Sequence, residues 1–404
     1  MSQVETAPFP VEPGSGGFGV WADLVGQGRA VDTLRRAVAG GPHAMSHAWL
    51  ITGPPGSGRS NAARAFAAAL ECESADRTMA GCGECRGCRT ALSGAHPDVT
   101  LVRTEMLSIG VDEIRDLVRR ASMSPSVGRH QVLVIEDADR VTERGADALL
   151  KSIEEPSPRT VWLLCAPTPE DVVATIRSRS RALHLTTPQP AAVAELLQRR
   201  DGIPAEQAVA AARAAQGHIG RARVLARNPE ARERRHAVLQ IPGRLRSLGA
   251  CLTAAEQLVT ACSAESAQVT AELDVKEREE LERALGVGTK GARSRSAQAA
   301  LRELADQQKA RAKRFERDAL DRALTELTGY YRDVLNVQTG AAVEPINVEL
   351  AEQIAAQASR SRPEATLRRI DALLACREAL ETNVRPLLAV EAMLVALVRA
   401  DRPD

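Results

Sequence analysis

Aromatic side chains make up only 2% of the 404 residues, and the helical-looking stretches are filled with Ala, Arg and Leu instead. That scarcity predicts a largely helical protein. An excess of either charge is missing too: the net charge is +1, which gives no global argument for a nucleic-acid or membrane partner and leaves only a local basic patch open. No stretch approaches the roughly 18 uncharged apolar residues of a membrane-spanning helix. The opening "MSQVETAPFPVEPGSGG" lacks a basic start followed by an apolar run, so no secretory signal is read there. Its Pro, Gly and small residues predict a disordered tail over residues 1–20, and the cytoplasm is the expected compartment.

What is present is organised in blocks. From Trp21 to Thr187 short apolar runs alternate with helical stretches. The runs are "AWLITG" from Ala48, "DVTLVR" from Asp98, "HQVLVIEDA" from His130 and "TVWLLCAP" from Thr160. Near-continuous apolar strands separated by helices predict a parallel sheet covered on both faces, an α/β core. Beyond "HLTTPQP" the strand signals vanish. Residues 188–242 read as a small helical lid and 243–404 as an all-α bundle, interrupted by a basic loop, "GVGTKGARSRS", at 286–296.

"ITGPPGSGRS" has the form of a phosphate-binding loop. Gly53, Gly56 and Gly58 let backbone N–H groups turn toward an anion, and a helix starting near Arg59 adds its dipole. Ser60 takes the position of a magnesium-binding hydroxyl, but Arg59 stands where the motif has lysine. A forked guanidinium does not reproduce a compact ammonium. The bland alternative is a Gly-rich turn packing a helix on a sheet. "VLVIEDADR" ends in Glu136-Asp137, whereas ATPases of this type end the strand in Asp-Glu. The inversion displaces each carboxylate by about 1.5 Å, and misplacement by ~1 Å costs on the order of 10²-fold in rate. Exposed acids at a strand end describe the pair better than a catalytic one does.

Four of the eight cysteines, Cys72, Cys82, Cys85 and Cys88, fall in the pattern C-x9-C-x2-C-x2-C. Four thiols at that spacing, with Gly81, Gly83 and Gly87 permitting tight turns, predict a closed structural zinc site. Cys165, Cys251, Cys262 and Cys376 sit in apolar runs and are expected in cores. "TIRSRSRALHL" places Arg179 at the edge of the core domain and carries little information alone. "KARAKRFER" from Lys309 is expected to be a charged outer helix face rather than a nucleic-acid contact.

Together, "LVGQ", "SHAWLITGPPGSGRS" with the cysteine insert after it, "GADALLKSIEEPSPRTVWLLCAPTPE", "TIRSRSRAL" and "NVRPLLAVEAML" make the chain resemble bacterial clamp-loader subunits of the AAA+ family. The likeness runs from Trp21 to Leu397 and is greatest to the delta-prime kind of the DNA polymerase III holoenzyme. It implies an AAA+ core with a zinc insert, a helical lid and a C-terminal collar for oligomerisation. It also implies a five-membered ring with motor (gamma/tau) and delta subunits that loads a sliding clamp onto primed DNA. Arg179 matches the arginine that such subunits project into a neighbour's ATP, with Ser180 replacing the family's Cys. The γ-phosphate-sensing threonine falls near Ala166 or Pro167, and the lid arginine falls at Gly220, one residue before Arg221. Loop lysine, acid pair, sensor and lid arginine are all altered. The resemblance therefore implies a subunit without autonomous activity, in which ATP or ADP binding is open and Mg2+ enters only with nucleotide. An active gamma/tau-type ATPase and a zinc-dependent nucleic-acid-binding protein outside any ring are the alternatives.

Overall fold

Five parallel strands, β1 (Ala48–Thr52), β2 (Val99–Val102), β3 (Gln131–Ile135), β4 (Thr160–Ala166) and β5 (Arg181–His184), stand side by side in the order β2-β3-β4-β1-β5. The computed structural model describes residues 18–104, 108–285, 295–382 and 384–401. Two compact units divide the chain, one ending at Arg223 and one beginning at Val224. Most of the expected tail and of the 286–296 loop lies outside the described residues.

In the first unit every residue of β1, β3 and β4 is buried, because helices cover both sheet faces. Alternate side chains therefore enter two different cores. Trp49, Ile51, Val132, Val134, Leu163 and Cys165 meet α1 (Gly28–Val38), α2 (Arg59–Leu70) and α3 (Arg86–Ser93) on one side. Leu50, Leu133, Ile135, Trp162 and Leu164 meet α4 (Val111–Ala121), α5 (Glu143–Glu154) and the short α6 (Ala174–Arg177) on the other. The few aromatics are spent at the centre: Trp21, Trp49 and Trp162 are all fully buried, and Trp49 meets Phe66 edge-to-face at 5.2 Å. Alanines from Ala62 to Ala69 let α2 lie close against the sheet. The helices α7 (Pro190–Asp201) and α8 (Ala205–Ala214) follow β5 as a packed pair, and α9 (Ile219–Arg227) crosses the division.

Two expectations change in this unit. Order begins before residue 21, since Phe18 packs on the first core and Val20 N donates to Gly81 O at 2.9 Å. The strand β5 carried no strand signal in the sequence. It is an edge strand pairing with β1 alone, and of its four residues only Leu183 is buried, so no apolar run marks it.

The second unit is entirely helical among its described residues: α10 (Pro229–Leu239), α11 (Ile241–Arg244), α12 (Leu248–Ala284), α13 (Arg295–Thr339), α14 (Ala351–Arg360), α15 (Pro363–Glu381) and α16 (Pro386–Arg399). Residues 224–242, read from sequence as part of the lid, fall with this unit, where α10 packs on α13. The core is built from the start of α12, the second half of α13, and α15 and α16, around Leu320, Leu324, Leu327, Leu373 and Leu394. Farther out, α12 and α13 continue as a two-helix arm with a polar seam: Ser266 Oγ donates to Ala312 O at 2.8 Å, and Gln308 Nε2 to Asp274 O at 2.9 Å. "KARAKRFER" is therefore not wholly an outer face. Arg311 is only 5% exposed and turns onto Asp274 and Glu277 of α12, while Lys309 stays outside.

Candidate functional site

The loop between β1 and α2 has the backbone that an anion cradle requires. Gly53, Gly56 and Gly58 have φ of 155°, 81° and 95°, and α2 starts at Arg59 with Gly58 as its N-cap. Gln27 ties this loop to the segment after β5, donating from Nε2 to Ser57 O (3.3 Å) and Thr186 O (2.7 Å) and accepting from Thr186 N. Ser60 lies half-buried in the first turn of α2.

The side chains around that cradle are already engaged. Arg59 turns back on its own loop, its Nη1 donating to the Gly53 carbonyl. Burial pulls the Arg59 pKa below the usual arginine value, opposed by the nearby Cys165, Asp139, Asp137 and Asp171. Glu136 is not an exposed acid: it is buried, and its Oε1 accepts from Arg64 Nε of α2 at 2.7 Å. Asp137 is half-buried, 4.0 Å from Arg140. Burial, together with the neighbouring Asp137, raises the pKa of Asp139. Ala166 is buried at the end of β4, Pro167 accepts from Gly53 N at 3.1 Å, and the hydroxyl of the following Thr168 is held by Asp171 at 2.8 Å. Gly220 lies in the first turn of α9, where Arg221 N donates to His218 Nδ1 at 3.2 Å. His218 itself sits on the loop: a Cβ on Gly56 would fall 2.2 Å from its ring Cγ. Arg64, Asp139 and His218 were not found from the sequence. The partners of Arg64 and His218, Glu136 and Gly56, are distant in the chain, and Asp139 carries no motif of its own.

The four cysteines come together. Cys72 follows α2, Cys82 lies in the loop, Cys85 caps α3 and Cys88 is inside it, with all four Sγ atoms within 4.8 Å of one another. A tetrahedron with Zn–S bonds of about 2.3 Å has edges of about 3.8 Å. The Cys72–Cys82 and Cys85–Cys72 separations are 3.8 and 3.9 Å, so these two edges match a zinc tetrahedron. Backbone N–H groups of Glu73, Cys85 and Cys88 point at sulfur at 3.4–3.5 Å, as expected around thiolates. Burial opposes ionisation of Cys72, but hydrogen bonds from Cys82, Ser74 and Gly81 prevail and bring its pKa down to about 6. Burial pushes Cys88 up. Gly81, at φ 92°, lets the loop pass under Trp21, whose Nε1 would lie 2.7 Å from a Cβ there. Cys165, Cys251, Cys262 and Cys376 are buried apart from this cluster.

Arg179 stands elsewhere, exposed in the turn between α6 and β5. Its Nε pairs with Glu154 Oε1 at 2.6 Å, and Nη1 donates to Thr175 O and Ser178 Oγ, each at 3.1 Å.

A parallel sheet in this order, with a glycine cradle after its first strand and a carboxylate-ended third strand, defines a P-loop core of AAA+-like architecture. Residues 26–189 match the family model described as DNA polymerase III, delta subunit. The chain is 37% identical over 173 residues to DNA polymerase III subunit delta' of Pseudomonas aeruginosa, covering 42% of this chain and 52% of that one. It is 33% identical to the delta' subunit of Escherichia coli, over 44% of this chain and 54% of the other. It is also 33% identical to subunit gamma/tau of Mycobacterium tuberculosis, over 47% and 33%. The chain thus spans about half the length of the delta' relatives it matches. A gamma subunit-related protein of Thermotoga maritima covers 92% of this chain and 99% of its own, at 16% identity and a TM-score of 0.39, too loose to bear on function. These matches make the chain similar to delta' and gamma/tau subunits of DNA polymerase III over its sheet-containing part.

Proposed function

We propose that this chain is a delta-prime-like subunit of a clamp loader, which helps place a sliding clamp on primed DNA without hydrolysing ATP itself. Motor and delta subunits complete its five-membered ring, in the cytoplasm. The observation that carries this reading is the contrast between two arginines. Arg59 is folded onto its own loop, whereas Arg179 is exposed at the rim of the core unit, able to reach charge on another molecule. The altered surroundings support it: Arg64 neutralises Glu136, and neither Ala166 nor Gly220 offers a polar side chain. Acting in trans, Arg179 would stabilise charge developing on the transferred phosphoryl group, an effect worth about 10³–10⁵ in rate in related enzymes.

Zinc, held by Cys72, Cys82, Cys85 and Cys88, serves structure, because four thiolates leave no open coordination position. In the same reading, the helices from residue 188 to Arg223 form the lid and the second unit, from Val224, forms the collar. Among the described residues no helix is long and apolar enough to cross a membrane.

The test is reconstitution with the cognate motor and delta subunits. Arg179→Ala should lower DNA-stimulated ATP turnover by at least 10³-fold while the complex still assembles. The isolated chain should show no turnover. An isolated turnover abolished by Asp137→Ala would instead establish a gamma/tau-type motor, the reading favoured by the match to gamma/tau subunits.

A further inference from the structure

Glu154 is the last residue of α5, a position where a carboxylate opposes the helix dipole. It is half exposed and part of no core, so packing does not explain it. Its one described partner is Arg179, at 2.6 Å. Viewed from the arginine, the geometry is selective. Nε is taken by Glu154 and Nη1 by the Thr175 carbonyl and the Ser178 hydroxyl, while Nη2 has no partner among the described residues. An unrestrained arginine of this exposure samples many rotamers and loses that freedom when it engages a target. Here the guanidinium is engaged by Glu154 at the end of α5 through Nε and by Thr175 of α6 and the following Ser178 through Nη1.

We propose that Glu154 is a positioning residue for Arg179, pre-orienting the guanidinium so that Nη2 is presented to phosphate oxygens of nucleotide held by a neighbouring chain. This rests on the reading of Arg179 given above. The carboxylate need not be released when the arginine engages, because the atom it holds is not the one presented. The device acts on the fraction of time the arginine is in place. Its loss should therefore lower turnover at saturating ATP and leave the KM for ATP little changed.

The experiment uses the fully assembled complex with Glu154→Ala, Glu154→Gln, Arg179→Ala and the Glu154→Ala/Arg179→Ala double variant. DNA- and clamp-stimulated ATP turnover is measured, with assembly checked by gel filtration. Glu154→Ala is expected to lower kcat by about 2- to 5-fold, the scale of a weakly held exposed pair. Glu154→Gln, which keeps an oxygen acceptor, should recover part of that loss. The double variant should be no slower than Arg179→Ala alone, because without the arginine there is nothing to orient. Losses that multiply in the double variant, or a kcat unchanged in Glu154→Ala while Arg179→Ala is slow, would overturn the proposal and leave the role of Arg179 standing. Should Arg179→Ala itself be as fast as wild type, the role of Arg179 fails and the proposal with it.

Discussion

Asp98 shows how single buried carboxylates organise the sheet edge near the cysteine cluster. It accepts from the consecutive backbone N–H groups of Ser126, Val127 and Gly128, and from the Ser126 hydroxyl. Burial alone would raise its pKa, but these donors outweigh it and bring the value down to about 2. Glu71 does the same for the next residues, accepting from the N–H groups of Arg129 and His130. Because the folded pKa of Asp98 lies below its unfolded value, its stabilisation is complete above about pH 4 and is lost as pH falls toward 2. Asp98→Asn should cost about 2–4 kcal/mol at neutral pH, since an amide N–H2 would face backbone donors. It should also flatten the acid limb between pH 4 and 2. Urea unfolding of both proteins across that range measures both effects.

Among the elements, the α12–α13 arm is held unlike the rest of its unit. Near the bundle its seam is apolar, but farther out it runs through Ser266, Thr270 and Gln308 to the buried Arg311 with Asp274 and Glu277. Polar seams specify helix register at a cost in stability. Arg311→Ala would leave two carboxylates facing each other without their cation. It should loosen the outer arm by about 3 kcal/mol. Hydrogen exchange should then speed up over residues 270–284 and 297–313 while the core around Leu324 and Leu373 keeps its protection. Uniform loss of protection through the whole unit would show that the arm and bundle unfold together.

For the molecule as a whole, the two units have separate cores and different sources of stability. The first contains the cysteine cluster, wedged between α2, α3 and the segment at Trp21. The second contains no comparable metal-ligand group among its described residues. Metal removal should therefore act on one unit alone. A loss of about 4 kcal/mol, the scale of a lost structural metal, lowers the midpoint of a domain of roughly 200 residues by about 8–16 °C. Calorimetry with and without a chelator should show the sheet-containing transition move while the helical one stays. Cys85→Ser should reproduce the shift without chelator.

Period, spacing and turn chemistry are local properties. On those grounds four of the five strands, the glycine cradle before α2, the cysteine quartet and the helical second half are legible in the sequence. Each of those strands, the cradle and the quartet is written within about 20 residues of chain, and each helix in its own period, where hydrophobic pattern and ligand spacing act directly. The sequence did not reveal β5, whose polar residues become a strand only because β1 offers an unpaired edge. Nor did it reveal the burial of Glu136, which depends on Arg64, 72 residues away in the chain. The same holds for His218 over Gly56, the inward turn of Arg311 and the carboxylate beside Arg179. Which charge meets which is a matter of distance in the folded chain. That the loop arginine is spent on its own backbone, while Arg179 stays exposed beside Glu154, follows from the folded arrangement alone.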